Sequence, residues 1–316
     1  MVNQAKPKYA FFDGSIVPLA DAKVSVMTHA LNYGTGVFGG LRGYWNDDEE
    51  QLFVFRPLDH FKRFVQSAQL MRINLTQSPQ QLTDILLELL RTEAFQENCY
   101  IRPLAYKSTE MIGVRLHDVD DALTIFALPF GRYVANEEGA HVGFSAWRRV
   151  DDNAIPARGK VTGAYANSSL IKSDAILAGY DEALVLNEDG HVSEVSSANL
   201  FIVRDGVAIT PPIYSNILEG ITRRSMMQLL HDELGVEVVE RNIDRTEVYL
   251  ADEIFMCGTG VQIAAITKVE HRKIGTGEMG DTTQNLRDLY FNVVQGKVEK
   301  YRDWLTPVYQ KEAIKA

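Results

Sequence analysis

The chain has 316 residues, 46% hydrophobic and 23% charged, with a net charge of −10. That composition fills about two ordinary domains and excludes a disordered chain. The acidic balance, with its acids in clusters such as 46–50 and 118–121 and no dense Lys/Arg stripe, argues against nucleic-acid binding, so small molecules are the expected partners.

The first residues, MVNQAKPKYAFFDG, lack the apolar run of a signal peptide, and no later stretch approaches the roughly 20 apolar residues that span a bilayer. A cytoplasmic protein without membrane contact is expected. Cys99 and Cys257 stand apart, with no C-x-x-C or Cys/His cluster, so neither a disulfide framework nor a structural zinc site is expected, and no metal.

In chain order, 9–19 carries Asp-Gly between apolar runs, the pattern of a tight hairpin. Helical spacing of Leu58, Phe61, Phe64, Val65 and Ala68 predicts a helix over 58–71, and Ser-Pro opens another over 78–95. Strands are expected at 100–108 and 122–130, giving an α+β first half. Residues 131–141 turn polar and read as a linker. Beyond them the pattern predicts a helix over 166–179, strands at 182–187 and 199–210, a helix over 222–235, a strand near 249–259 and a C-terminal helix over 282–304.

The stretch Gly34–Gly40 formally satisfies G-x-G-x-x-G, but strand and turn residues follow it where the dinucleotide fingerprint needs a helix. Its glycines instead suit a close backbone approach, with Tyr33, Phe38 and Arg42 nearby. Four features of the second half point to chemistry. Lys160 sits among Gly159, Val161, Gly163 and Ala164, an apolar company that suits an amine nucleophile. Residues 218–227 read as a turn, with Gly220, entering a helix that Thr222 can cap; the amides of Ile221 and Thr222 would face an anion. Gly258-Thr259-Gly260 offers a second turn with a hydroxyl. Glu194 precedes an apolar strand among small residues. A Schiff-base lysine, two anion cups and a carboxylate are the parts that pyridoxal phosphate needs.

Their order resembles the branched-chain amino acid aminotransferases of the fold-type IV (class IV) pyridoxal-phosphate enzymes over nearly the whole chain. The carrying stretches are 29–44, 55–63, 100–106, GKVTGAYANS (159–168), GHVSEVSSANLFIV (190–203), TPPIYSNILEGITR (210–223) and YLADEIFMCGTG (249–260). The resemblance implies an α+β (α/β) two-domain fold: a small α/β domain over 1–133, a linker over 134–140, and a large cofactor-binding domain with a barrel-like β core over 141–316. It implies Lys160 as the Schiff-base lysine and proton shuttle, Glu194 at the pyridine nitrogen and Tyr165 at the phenolic oxygen. Arg56, Ile221, Thr222 and Thr259 would hold the phosphate, with Leu218 and Gly220 beside them. Tyr33, Phe38, Gly40, Arg42, Tyr100, Arg102, Phe130, Tyr133, Gly260 and Val261 would meet the substrate.

The implied reaction moves the amino group of leucine, isoleucine or valine to 2-oxoglutarate by a ping-pong cycle in amino-acid biosynthesis, in at least a homodimer. Another fold-type IV enzyme, such as a D-amino acid or (R)-amine transaminase or aminodeoxychorismate lyase, is the alternative. Gly39, Phe130, Ala198, Gly260, Val261 and Gln262 depart from residues frequent in the family and bear on substrate range.

Overall fold

The computed structural model describes residues 6–131 and 136–310. The Asp-Gly signal is realised as a hairpin: Asp13 (φ 49°) and Gly14 (φ 81°) turn β1 (Tyr9–Phe12) back into β2 (Ser15–Pro18), with Phe12 opposite Ser15. Paired positive φ angles match the right-handed twist of the strands, which is why Gly occupies the second position. A short helix α1 (His29–Tyr33) closes on Gly34 in the left-handed conformation. It leads into strands β3 (Gly36–Phe38) and β4 (Leu41–Asn46), so a strand, not a dinucleotide-binding helix, follows the glycine motif.

After β5 (Gln51–Phe55), α2 (Pro57–Leu70) starts with proline in its first turn, and α3 (Pro79–Glu93) adds a capping box. There Ser78 accepts from the Gln81 amide and the Gln81 side chain accepts from the Ser78 amide, which satisfies two donors that a helix start leaves open. Buried Phe61, Phe64 and Ala68 of α2 and Leu82, Leu86 and Leu90 of α3 recur at helical spacing. Strands β6 (Cys99–Lys107) and β7 (Asp121–Pro129) pair antiparallel along their full length.

The chain divides into two compact units, Met1–Gly131 with Asn292–Ala316, and Arg132–Phe291. The C-terminal segment therefore groups with the first unit, where the sequence placed 141–316 in one large domain. The reason is pairing. A strand at Leu305–Pro307 adds to β5, with Leu305 opposite Phe55, and the Trp304 carbonyl accepts from the Arg56 amide at 2.7 Å. Tyr309 is held by Gln51 at 2.8 Å. Among the described residues this strand makes the first unit's sheet 8-stranded.

The described structure of the second unit starts inside the stretch expected as linker: the Glu137 carbonyl accepts from the Ala265 amide at 2.9 Å, and the first strand begins at Ala140. Its elements run β8 (Ala140–Phe144), α4 (Tyr165–Leu177), β9 (Glu182–Leu186), β10 (Val192–Val195), β11 (Asn199–Arg204), β12 (Val207–Thr210), α5 (Ile221–Asp232), β13 (Val238–Glu240), α6 (Arg245–Val248), β14 (Glu253–Gly258), β15 (Gln262–Val269), β16 (Arg272–Lys273) and α7 (Asp281–Val294). Helix α7 stops well short of the predicted residue 304, because Gly296 takes φ 75° and a separate turn follows at Glu299–Trp304.

The strand order is β10-β9-β8-β15-β14-β11-β12-β13. β10 begins that row and β11 stands far along it, yet a tight turn joins them, with the Val195 amide donating to the Ala198 carbonyl at 3.0 Å. The sheet must therefore curl round to bring them together. Val192, Val195, Leu200, Ile202, Ile254, Met256, Ala264 and Ile266 fill the interior. This mixed α/β architecture, with two sheets of which one is curled, agrees with the fold class expected from the sequence.

Candidate active site

Lys160 lies just ahead of α4, whose first residue is Tyr165, and the Lys160 ammonium donates to the Tyr165 hydroxyl at 2.5 Å. The pair lines a recess together with Gly159, Ala164, Arg149 and Leu218. Small residues at 159 and 164 are what leave the recess open.

Leu218 joins this recess to Glu194. Its amide donates to Glu194 Oε2 at 3.3 Å, and Asn199 Nδ2 reaches the same oxygen at 3.1 Å and the Leu218 carbonyl at 3.0 Å. Arg149 holds the other carboxylate oxygen at 2.6 Å. Glu194 is buried, and burial pushes its carboxyl above the ordinary value, with the Arg149 guanidinium and the Leu218 amide acting in the opposite direction. A carboxyl tuned upward in this way is suited to sharing a proton with a buried heteroaromatic nitrogen.

Helix α5 begins at Ile221 with Gly220 as its N-cap, so Thr222 lies inside the first turn and does not cap. Gly220 has no side chain to satisfy the first amides, yet Ile221 and Thr222 are each only 2% exposed. Buried, uncapped helix amides call for an external acceptor. The turn expected from the sequence to form a second anion cup is the hairpin loop between β14 and β15, in which Gly258 pairs with Gln262 and Gln262 takes φ 60°. Thr259, Gly260 and Val261 form its tip.

Both cups lie at one end of the curled sheet, and Asn199 shows why. In register it faces Cys257, which sets the Gly258–Val261 loop beside Ala198. A Cβ on Gly258 would meet the Ala198 Cβ at 3.5 Å, and one on Gly220 would meet Asn199 Oδ1 at 2.1 Å. Nearby, the Ser196 hydroxyl is buried with no hydrogen-bond partner. Uncapped amides, an unpaired hydroxyl, a buried acid and an open recess beside a lysine fit pyridoxal phosphate: its phosphate suits the cups, its ring nitrogen suits Glu194, and its aldehyde suits Lys160.

The first unit gathers most of the expected substrate residues. The Arg102 guanidinium lies 4.4 Å from the Phe38 ring centroid and donates to the Tyr100 hydroxyl at 3.0 Å. The Tyr100 and Phe130 rings are 5.3 Å apart, and buried Arg42 donates to the carbonyls of Phe130 and Gly131. A Cβ on Gly40 would sit 2.4 Å from the Tyr100 hydroxyl and would force that ring to shift; one on Gly39 would strike Pro103 at 2.6 Å. The Tyr33 hydroxyl accepts from the Gly113 amide at 3.1 Å. Arg56, the N-cap of α2, pairs with Asp59 at 2.7 Å and lies over Trp304. Tyr133 lies outside the described residues.

Sequence reading missed Arg149 and Asn199. Arg149 left one weak signal, a pair of cations, Arg148 and Arg149, between Trp147 and Val150. Asn199 stood inside the quoted motif, but nothing in the sequence shows that its amide reaches back to Glu194. Among the described residues there is no cluster of acids, histidines and cysteines that could hold a metal, and no helix long and apolar enough to cross a membrane.

Comparison with known proteins gives the family of the chain. The family model of amino-transferase class IV matches residues 36–269. The chain is 45% identical over 311 residues to a probable branched-chain-amino-acid aminotransferase of Aquifex aeolicus, covering 98% of this chain and 100% of that one. It is 38% identical to the branched-chain-amino-acid aminotransferase of Escherichia coli K12, covering 96% and 99%. The crystal structure of the branched-chain aminotransferase of Thermoproteus uzoniensis with norvaline superposes with a TM-score of 0.92 at 40% identity, covering 96% of this chain and 100% of that one. The branched-chain amino acid aminotransferase of Thermobaculum terrenum, in its PLP-bound holo form, also gives 0.92, at 38% identity, covering 97% and 100%. The chain belongs to the class IV aminotransferase family.

Proposed function

We propose that the chain is a pyridoxal-phosphate-dependent aminotransferase that moves the amino group of leucine, isoleucine or valine to 2-oxoglutarate, with both half-reactions served by one site. The observation that carries the reading is Lys160 bound to Tyr165 in a recess whose wall continues through Leu218 to buried Glu194. The names of full-length relatives and of the structural neighbours supply the substrate class.

Pyridoxal phosphate, when bound, supplies the aldehyde that receives the amino group and a ring that draws electrons from the substrate Cα. Lys160 moves a proton to and from that Cα as base and then acid. The Tyr165 hydroxyl orients the Lys160 amine. Glu194 keeps a proton available to the ring nitrogen, and Arg149 fixes its carboxylate in place. The amides of Ile221 and Thr222 and the Thr259 hydroxyl bind the phosphate, with Gly220 allowing the close approach. Arg56 is a further phosphate ligand in this reading; its Asp59 pair would rearrange or be shared. Tyr33, Phe38, Phe130, Tyr133 and Gly40 form the apolar wall for the side chain, while Arg42, Tyr100, Arg102 and the Gly260 and Val261 amides take carboxylates. The active form is a cytoplasmic homo-oligomer, at least a dimer.

The test is spectroscopic. Protein purified with pyridoxal phosphate should be yellow, lose that colour with L-leucine, and regain it with 2-oxoglutarate, while Lys160→Ala loses turnover. Normal activity in Lys160→Ala would end the reading. Faster bleaching by D-alanine or (R)-1-phenylethylamine would move the chain to another activity in the family.

A further inference from the structure

Strand register gathers a second group of residues on one face of the curled sheet. Arg204 lies opposite Val207 in the β11–β12 hairpin, and Ile209, two residues on, lies opposite Val239 of β13. Opposite and alternate residues share a face, so these four side chains stand on the same side. Arg241 follows two residues beyond Val239, where its amide continues the pairing by donating to the Thr210 carbonyl at 3.2 Å. With Asp205 these residues line a cavity of about 300 Å³, at the lower end of the range of small-ligand pockets. Its wall continues the apolar interior, to which Ile209 belongs and against which Val207 packs. The cavity is separate from the candidate active site. Asn199 opens β11 and Arg204 closes it, which at about 3.3 Å per residue sets the two about 16 Å apart.

The polar end of the cavity is built round Glu247. Arg241 Nη1 and Nη2 donate to its two oxygens at 2.8 and 2.6 Å, and Arg204 Nη1 donates to one of them at 3.2 Å. The Glu247 side chain is 11% exposed, and its bond from Arg241 holds the carboxyl below the ordinary range. One carboxylate thus fixes two guanidiniums and leaves one positive charge over. Arg204 Nη2 and Arg241 Nε bond to no described residue, and the two side chains are 40% and 42% exposed. Asp205 lies 4.0 Å from Arg204 Nε, but at 93% exposed it is screened by water. Forked donors held in place match the geometry of a carboxylate. The aliphatic wall beside them matches an alkyl group, which an inorganic anion lacks.

We propose that this cavity is a second ligand site, which takes a short aliphatic carboxylate with its acid group on Arg204 and Arg241 and its alkyl body on Val207, Ile209 and Val239. An aliphatic amino acid and the corresponding 2-oxo acid share that chemistry. The site stands independently of the proposed function.

The test is equilibrium dialysis of the full chain, loaded with pyridoxal phosphate, against labelled isovalerate. The wild type should bind one equivalent per chain more than Arg204→Gln/Arg241→Gln does. It should also bind one more than Val207→Phe, which fills the cavity while leaving both arginines paired to Glu247, so that its fold does not depend on them. Equal stoichiometry in the wild type and Val207→Phe overturns the proposal. Inorganic phosphate should leave the extra equivalent bound; displacement by phosphate at the concentration of isovalerate shows a bare anion site and also overturns it. L-Valine and 2-oxoisovalerate then compete for the same equivalent. Stronger displacement by L-valine, weakened in Asp205→Asn, assigns the amino acid, stronger displacement by the other assigns the 2-oxo acid, and displacement by neither overturns the proposal. Because these readings count bound probe and not turnover, failure of the Lys160→Ala prediction would leave them untouched.

Discussion

Gly220→Ala sets two effects of known sign against each other. Gly220 has φ −67° and ψ 132°, which alanine adopts freely, so the smaller entropy of the unfolded chain alone would stabilise the variant by about 0.4–1 kcal/mol. The new Cβ, however, would lie 2.1 Å from Asn199 Oδ1 and 3.2 Å from the Arg223 Cβ. Asn199 is 5% exposed, so it has little room to move. Swinging it aside sacrifices the bonds of its Nδ2 to Glu194 at 3.1 Å and to the Leu218 carbonyl at 3.0 Å. The neutral bond contributes about 1 kcal/mol and the bond to the carboxylate about 1.5–3 kcal/mol. Against the entropic gain, the net is a loss of about 2–3 kcal/mol. Urea denaturation should show it as a midpoint lowered by about 1 M at an ordinary slope. Affinity for pyridoxal phosphate should fall as well, because the start of α5 and Glu194 are displaced together. A midpoint at or above that of the wild type would refute the reasoning, since it would mean that Asn199 yields without losing its bonds.

Glu194 makes a second prediction, in pH. Its folded pKa is raised by burial, so as pH climbs the native state keeps a proton that the unfolded chain has released. The stability associated with that proton is complete below the unfolded value of about 4.3, falls as pH rises towards the raised folded value, and is lost above it. Glu194→Gln has nothing to titrate, so the urea midpoint of the variant should rise relative to wild type across that window; parallel profiles would contradict it. The cysteines supply a third. Burial raises the thiols of Cys99 and Cys257 to about 12, which leaves almost no thiolate at pH 8. Ellman's reagent should find no fast thiol in the native protein and both after denaturation.

Elements whose signals are local were legible in the sequence. Asp13-Gly14 specifies its hairpin through two backbone angles, and Ser78 with Gln81 caps α3 from three residues away. The C-terminal return to the first sheet was not. Leu305–Pro307 is three residues long, and its partner at Phe53–Phe55 lies about 250 positions earlier in the chain; no periodicity marks so short a strand, and loop closure over that span has no local signature. The end of α7 failed for a related reason. Apolar spacing continues to Tyr301 and Trp304, whereas Gly296 breaks the helix and leaves both rings buried by a different turn.

The site divides in the same way. Lys160 and Tyr165 are five residues apart, so one turn into α4 brings them together. The two anion cups and the carboxylate lie at separate places in the chain, and it is strand register that unites them. Asn199 performs that union three times: its backbone faces Cys257, its amide holds both Glu194 and Leu218, and its bulk fixes position 220 as glycine. Each role depends on β11 lying against β14 in this register. A slip of one residue would turn every side chain of β11 to the other face and separate the carboxylate from both cups. Ala198 occupies the adjoining position, against Gly258. The departure at 198 therefore bears on the loop that carries Thr259, Gly260 and Val261, and its effect on substrate range should run through the placement of those amides rather than through the apolar wall.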